Sequence, residues 1–336
     1  MSIIIALDAM GGDHAPDAVV AGAVSAVCEI KDCRIILVGP QDVIEVKLKE
    51  AIEAELKLNS KAEIPPGAIS IIHAPDIIEA DEVPTTAIRR KKESSVVVGL
   101  KAVKEGEANA FVSAGSTGAL LTAATVYVGR APGIERPALG VMLPHRSGFT
   151  FLIDCGANVD CKPVYLAQFA QMGADYVKQA LGINNPRVGL VNIGTEREKG
   201  NLLVKEAYGL IEGAAKSDGG QFNFTGNIEA RDIPLGAADV AVCDAFVGNI
   251  ILKYTEGLAK GLMGMVKDEL MADPLSKFGA LISKGAFNRI KKRLDYDDIG
   301  GAPFLGLKNL VVKAHGSSNA RAIKGAIKQC ILFYKG

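Results

Sequence analysis

The chain has 336 residues, 49% hydrophobic and 5% aromatic with no Trp, which is ample aliphatic surface for two domains or one large α/β unit and excludes a small disulfide-stapled module. Lys plus Arg (38) balances Asp plus Glu (38), so no global field recruits nucleic acid, and no nucleic-acid partner is expected. Six scattered cysteines, mostly within aliphatic stretches, point to buried thiols in a reducing, cytoplasmic setting.

In chain order, a β-branched run at Ile3–Leu7 is a strand cut short by Asp8. It lacks a basic flank, so no secretory leader is expected and the mature chain is read as starting at residue 1. A glycine turn follows, Asp8-Ala-Met-Gly-Gly-Asp-His14, with Asp13 beside His14. Strands are expected at Arg34–Val38 and Ile69–Ile72 around a helix at Gln41–Lys57, with a loose loop at Ala62–Gly67. The basic cluster Arg89, Arg90, Lys91 and Lys92 precedes a helix at Ser94–Glu105. The uncharged window from Ala108 to Gly129 is long enough to span a bilayer, but its hydroxyls and glycines fit a buried strand, Asn109–Ser113, and a helix. Between them lies a second turn, Gly115, Ser116, Thr117 and Gly118.

Ala138–Leu143 and Phe149–Ile153, joined by Pro144-His-Arg-Ser-Gly, read as a hairpin, which makes the sheet mixed. A helix at Val164–Ala180, a strand at Arg187–Val191, a helix at Asn201–Ala214 and a strand at Asp239–Cys243 continue the alternation. The loop after Val191 carries Arg197 and Lys199. The window Leu275–Leu294 is basic and free of acids. Its Phe278, Leu281 and Ile282 fall at helical spacing, Phe287 lies off the series, and Lys291, Lys292 and Arg293 follow, as in an amphipathic helix for an anionic membrane or a packing face. The chain closes with a strand at Leu310–Lys313, a third turn (His315, Gly316, Ser317, Ser318, Asn319) and a helix at Ala320–Tyr334. The expected fold is a three-layer α/β/α sandwich on a mixed, mostly parallel sheet. Its expected subdomains are 1–130 with 300–336, and 131–299 including an amphipathic helical segment at 256–295.

Strand ends followed by small residues and a helix present free N–H groups and a positive helix terminus, which suits an oxyanion, although each turn alone is also an ordinary capped turn. Neither G-x-G-x-x-G after a strand nor a P-loop occurs, so nucleotide readings lose their main support. With no Cys-x-x-Cys and no His-Glu-x-x-His, no metal and no cofactor are expected, despite Asp8, Asp13 and His14 lying close together. No Gly-x-Ser-x-Gly supports a serine nucleophile.

The ordered motifs Ala6-Leu-Asp-Ala-Met-Gly-Gly-Asp-His-Ala-Pro16, Ser113-Ala-Gly-Ser-Thr-Gly118, Glu135-Arg-Pro-Ala-Leu, Asp154-Cys-Gly-Ala-Asn158, Asn192-Ile-Gly-Thr-Glu-Arg-Glu-Lys-Gly-Asn201, Phe224-Thr-Gly-Asn-Ile-Glu-Ala-Arg231, Cys243-Asp-Ala-Phe-Val-Gly-Asn249 and His315-Gly-Ser-Ser-Asn-Ala320 resemble the phosphate acyltransferase family of bacterial phospholipid synthesis over nearly the whole chain. The resemblance implies transfer of a fatty acyl group from acyl-carrier protein to inorganic phosphate. It also implies a fold similar to isocitrate and isopropylmalate dehydrogenases and phosphotransacetylase, a homodimer, and a cytosolic enzyme held peripherally at the membrane, feeding a glycerol-3-phosphate acyltransferase there.

On that reading the second and third turns, with Lys199 and Arg197, take phosphate or the oxyanion. His14 or His315 takes a phosphate proton, and Asp8 or Asp13 orients the imidazole. Arg89, Arg90, Lys91 and Lys92 dock the acidic carrier. The rivals are a phosphotransacetylase using coenzyme A thioesters, a dehydrogenase of the same fold, and a non-catalytic membrane scaffold.

Overall fold

A computed structural model describes residues 2–60, 62–217, 221–294 and 300–335; the side chains at 291–294 and 335 fall outside that description. The first half runs β1 (Ile3–Asp8), α1 (Asp17–Glu29), β2 (Cys33–Gly39), α2 (Gln41–Leu58), β3 (Ile69–His73), α3 (Pro84–Arg90), α4 (Ser95–Lys104), β4 (Ala110–Ser113) and α5 (Thr117–Tyr127). Then follow β5 (Ala138–His145), β6 (Gly148–Ile153), α6 (Pro163–Leu181), β7 (Arg187–Asn192), α7 (Leu202–Lys216), β8 (Asn223–Glu229), β9 (Val240–Val242), α8 (Ala245–Leu270) and α9 (Pro274–Leu294). The chain returns through β10 (Ala302–Leu305), β11 (Leu310–Lys313) and α10 (Ala320–Lys335).

All the described strands join one sheet in the order β3-β2-β1-β4-β11-β10-β5-β6-β9-β7-β8. Five strands from β3 to β11 run parallel, as do β6, β9, β7 and β8, while β10 and the β5–β6 hairpin reverse direction between the two sets. Central strands such as β4 are buried at every position, because helices cover both faces and leave no polar face to alternate with. The hairpin turn is tighter than its five-residue linker suggested, with His145 paired to Gly148 and only Arg146 and Ser147 between them.

Two strands escaped the sequence reading. β8 is interrupted by Gly226 at φ 86° and by a register shift against β7, and β10 carries Pro303 between flanking glycines and a turn. Both features break the runs that mark a strand. Four of the cysteines are buried and all six are free.

α8 and α9 project from this framework. α9 packs on α8, leaving Phe278, Leu281 and Ile282 exposed (61%, 67% and 72%) with Phe287 partly covered, so the described residues supply no packing partner for that apolar face. Lys291, Lys292 and Arg293 lie on the last turn of α9, and their side chains are outside the described residues. Among the described residues no helix is long and apolar enough to cross a membrane.

Candidate active site

β1, β4 and β11 are parallel neighbours, so the three glycine turns leave the same edge of the sheet side by side. The Asp13 N–H donates to the Gly316 carbonyl at 2.8 Å, joining the first turn to the third. The first turn meets the second at Gly11, where a Cβ would stand 2.8 Å from the Gly115 nitrogen. Asp8 lies beneath this junction, 1% exposed. It accepts from the Ser113 hydroxyl at 2.6 Å and from the Met10 N–H at 3.2 Å, while Ser113 Oγ accepts from the Gly115 N–H at 3.0 Å. Burial pushes the Asp8 carboxyl above the usual carboxylate range, against the opposing pull of Ser113, Ser95, Met10 and the charge of Lys313.

Lys313, the last residue of β11, is 9% exposed, and its ammonium donates to the carbonyls of Ala114, at 3.2 Å, and Ala314. Burial pulls its pKa down to about 8; Asp8 and Asp13 resist that shift and Lys253 adds to it. A buried cation thus sits where the second and third turns meet. Sequence reasoning missed Lys313, since a single lysine ending an apolar strand reads as the strand's exit to solvent.

Beside the turns opens a cleft of about 390 Å³. Thr117, His315, Gly316 and Lys313 border it on one side and Leu139, Val141, Val159 and Leu252 give it an apolar wall. The first turns of α8 present Asn249, Lys253 and Glu256 along one helical face to the same space. α8 is seated by Gly248, where a Cβ would come within 2.0 Å of the Asp154 carbonyl, so only glycine permits the approach. The Asp154 carboxylate in turn organises its loop, accepting from the N–H groups of Leu139, Gly156, Ala157 and Asn158. Lys253 Nζ stands 2.8 Å from Glu256 and 3.4 Å from His315 Nε2, and His315 Nδ1 lies 2.9 Å from Ser317 Oγ. Cys155 also lines the cleft, but its thiol donates to the Leu139 carbonyl and burial raises its pKa, so it stays protonated and is no nucleophile.

Thr117, Gly316 and His315 therefore meet at the cleft, with Gly115 on the adjoining turn. Ser116 and Asn319 serve as helix caps, accepting from Ala119 and Ala322, and Gly118 packs against Pro84. Ser318 is buried, with no partner for its hydroxyl among the described residues. His14 is exposed on the first turn. Asp8 bonds to the turns and to neither imidazole, since its strand end points inward, under the loops.

Arg197 and Lys199 lie apart from the three turns within the chain. Their loop leaves β7, two strands beyond β6 toward the far edge, and Arg197 is held by Glu212 at 3.3 Å and lies over the Tyr208 ring. Lys199 is exposed on that loop, outside the cleft lining. Of the basic cluster, Arg89, Arg90 and Lys92 are exposed, whereas Lys91 is tied to Glu82 and the Ile77 carbonyl. Among the described residues no group of three His, Cys, Asp or Glu side chains is placed to hold a metal.

A mixed α/β sheet whose strand ends gather glycine turns and lysines beside an apolar-walled cleft defines an α/β protein of the phosphotransacetylase fold class. In a comparison with solved structures, a phosphotransacetylase from Streptococcus pyogenes matches with a TM-score of 0.65 at 19% identity, over 100% of this chain and 95% of that one, a likeness of fold. The family described as "Fatty acid synthesis protein" matches residues 3–335, and the chain belongs to that family. Relatives named "Phosphate acyltransferase" from Clostridium kluyveri (strain ATCC 8527 / DSM 555 / NBRC 12016 / NCIMB 10680 / K1) and Clostridium botulinum (strain Loch Maree / Type A3) are 50% and 48% identical, each over 99% of this chain and 94% of the relative.

Proposed function

We infer that this protein is a phosphate acyltransferase that moves a fatty acyl group from a carrier-protein thioester to inorganic phosphate, for phospholipid synthesis. The observation that carries the reading is the convergence of three glycine turns on Lys313 beside an apolar-walled cleft. The N–H groups at the start of α5 have no intrahelical partners, and with Lys313 and Lys253 they suit a phosphate dianion.

One phosphate oxygen attacks the thioester carbonyl carbon, the C–S bond breaks, and the thiol leaves with the electron pair and takes up a proton. A thiol of pKa about 8.5 departs with little acid assistance, so positioning and charge stabilisation are the main catalytic contributions. On this reading His315, whose Nε2 lies 3.4 Å from Lys253 Nζ beside the cleft, accepts the remaining phosphate proton. Lys313 and Lys253 replace Arg197 and Lys199 as the phosphate cations of this reading.

The test is release of free thiol from an acyl-carrier thioester with and without phosphate, with formation of acyl phosphate. Release that does not depend on phosphate sinks the reading, and a preference for coenzyme A thioesters favours the phosphotransacetylase alternative.

The carrier is acidic on this reading, and Arg89, Arg90 and Lys92 form its dock, at the C-terminal end of α3, whose Pro84 packs against Gly118 at the start of α5. Arg89→Glu with Arg90→Glu is expected to lower kcat/KM for the carrier thioester about 10-fold at low salt and to leave a small acyl thioester unaffected. Equal rates on the carrier thioester would move the dock elsewhere.

The acyl phosphate then passes to a membrane glycerol-3-phosphate acyltransferase, which suits an enzyme peripherally bound at the cytoplasmic face through α9. Phe278→Glu with Leu281→Glu is expected to weaken binding to anionic vesicles about 100-fold in co-sedimentation while thiol release continues, since both side chains are exposed. Unchanged sedimentation would remove α9 from the membrane. The homodimer is supported by Phe246, Ile250, Tyr254, Leu258 and Leu262, an exposed apolar stripe at four-residue spacing along α8.

A further inference from the structure

A second cavity, of about 420 Å³, lies further along the half-buried ridge of α5 that starts at the cleft. Thr117 borders the cleft, and Leu121 and Thr125, one and two turns further along the same helical face, border the second cavity. The opposite wall is shared as well: Leu139 and Gly156 face the cleft, and Pro137 and Asn158 face the second cavity. Spacing along α5 and along the opposite wall thus sets the two spaces end to end.

The far end is cationic. Arg130 and Arg136 line it against the single carboxylate of Glu135. Arg130 donates to the Glu135 backbone carbonyl, which fixes its guanidinium at the rim, and Arg136 has no carboxylate partner among the described residues. The Glu135-Arg-Pro motif lies here, and nothing in the phosphate site or the carrier dock uses it.

From Thr117 to Thr125 the ridge is about 12 Å long at 1.5 Å per residue. A carrier thioester hangs on a pantetheine arm whose dozen or so bonds between sulfur and phosphorus reach roughly 14 Å when extended, taking about 3.6 Å per three bonds. We propose that Arg130 and Arg136 bind the phosphate group at the far end of that arm, so that the groove along α5 measures the arm and sets the thioester carbonyl against the phosphate held by the glycine turns. Planar guanidiniums suit the terminal phosphate geometrically, and an uncharged thioester of equal acyl length forgoes the contact. The proposal rests on the acyltransferase reading.

The experiment compares S-acyl-4′-phosphopantetheine with S-acyl-pantetheine, which differ only in that phosphate. The unaltered protein is expected to show at least a 10-fold higher kcat/KM for the phosphorylated thioester. Arg136→Gln is expected to bring that value down to the unphosphorylated level without moving the rate on S-acyl-pantetheine or the KM for inorganic phosphate, and Arg136→Lys to retain part of the preference. Arg136 is exposed, so the substitution leaves the fold in place.

Equal use of both thioesters by the unaltered protein overturns the anchor, as does an equal loss on both in Arg136→Gln. A raised phosphate KM on S-acyl-pantetheine in that variant would assign the pair to inorganic phosphate instead, which also overturns it. Absence of phosphate-dependent thiol release from either compound would take down the transferase reading itself, and the anchor with it.

Discussion

Replacing Lys313 with Met is expected to raise the phosphate KM at least about 100-fold while shifting the thermal midpoint by no more than a few degrees, because the ammonium is held for function at a cost to the fold. Its pKa falls from 10.5 to about 8, so burying the charged form costs roughly 3 kcal/mol at neutral pH. Between about pH 8 and 10.5 the unfolded chain binds more protons at this lysine than the folded one, so this residue's contribution to stability rises with pH. Activity runs the other way: as pH climbs through about 8 the cation disappears and phosphate binding weakens. Asp8, Asp13 and Lys253 are the ionisable neighbours that set this balance. Phosphate KM measured from pH 6.5 to 9.5 should therefore turn upward near pH 8 in the unaltered protein and lose that limb in the Met variant. A Met variant with an unchanged KM would remove Lys313 from the site.

The second large effect is expected at Gly12. Its φ of 105° is a conformation that L side chains rarely adopt, and a Cβ there would stand 2.9 Å from both the Ala114 Cβ and the Gly316 carbonyl oxygen. Gly12→Ala thus strains its own backbone and wedges apart the second and third turns. The strain is of order 1–3 kcal/mol, which a protein of this size should survive with a lowered midpoint. Misplacing the amide groups by a fraction of an ångström is expected to reduce kcat/KM about 100-fold. Circular dichroism with thiol-release kinetics checks both parts. A folded variant with full activity would mean that the first turn does not position the other two.

The contrast between Lys313 and Lys199 shows where sequence reasoning stops. Lys199 stood in a loop with a helix behind it and so looked like a phosphate cation, but β7 is inserted beyond β9, and the loop leaves the sheet away from the turns. Lys313 looked like the end of a strand, and comes to lie beside the turns and the cleft only because β11 is inserted beside β4. Lys253 was hidden for a similar reason. It lies within a helix whose spacing says which residues share a face, while the close approach at Gly248 determines what that face meets.

Composition, the alternation of apolar runs with helical periods and the three strand-turn-helix passages determined an α/β protein with a mixed sheet and three glycine turns at strand ends, because burial and backbone hydrogen bonding act over a few residues at a time. Strand order, the convergence of the turns on a buried aspartate and lysine, and the groove along α5 were decided only by the tertiary structure. Those features depend on which distant segments become neighbours, and local periodicity carries no record of that choice.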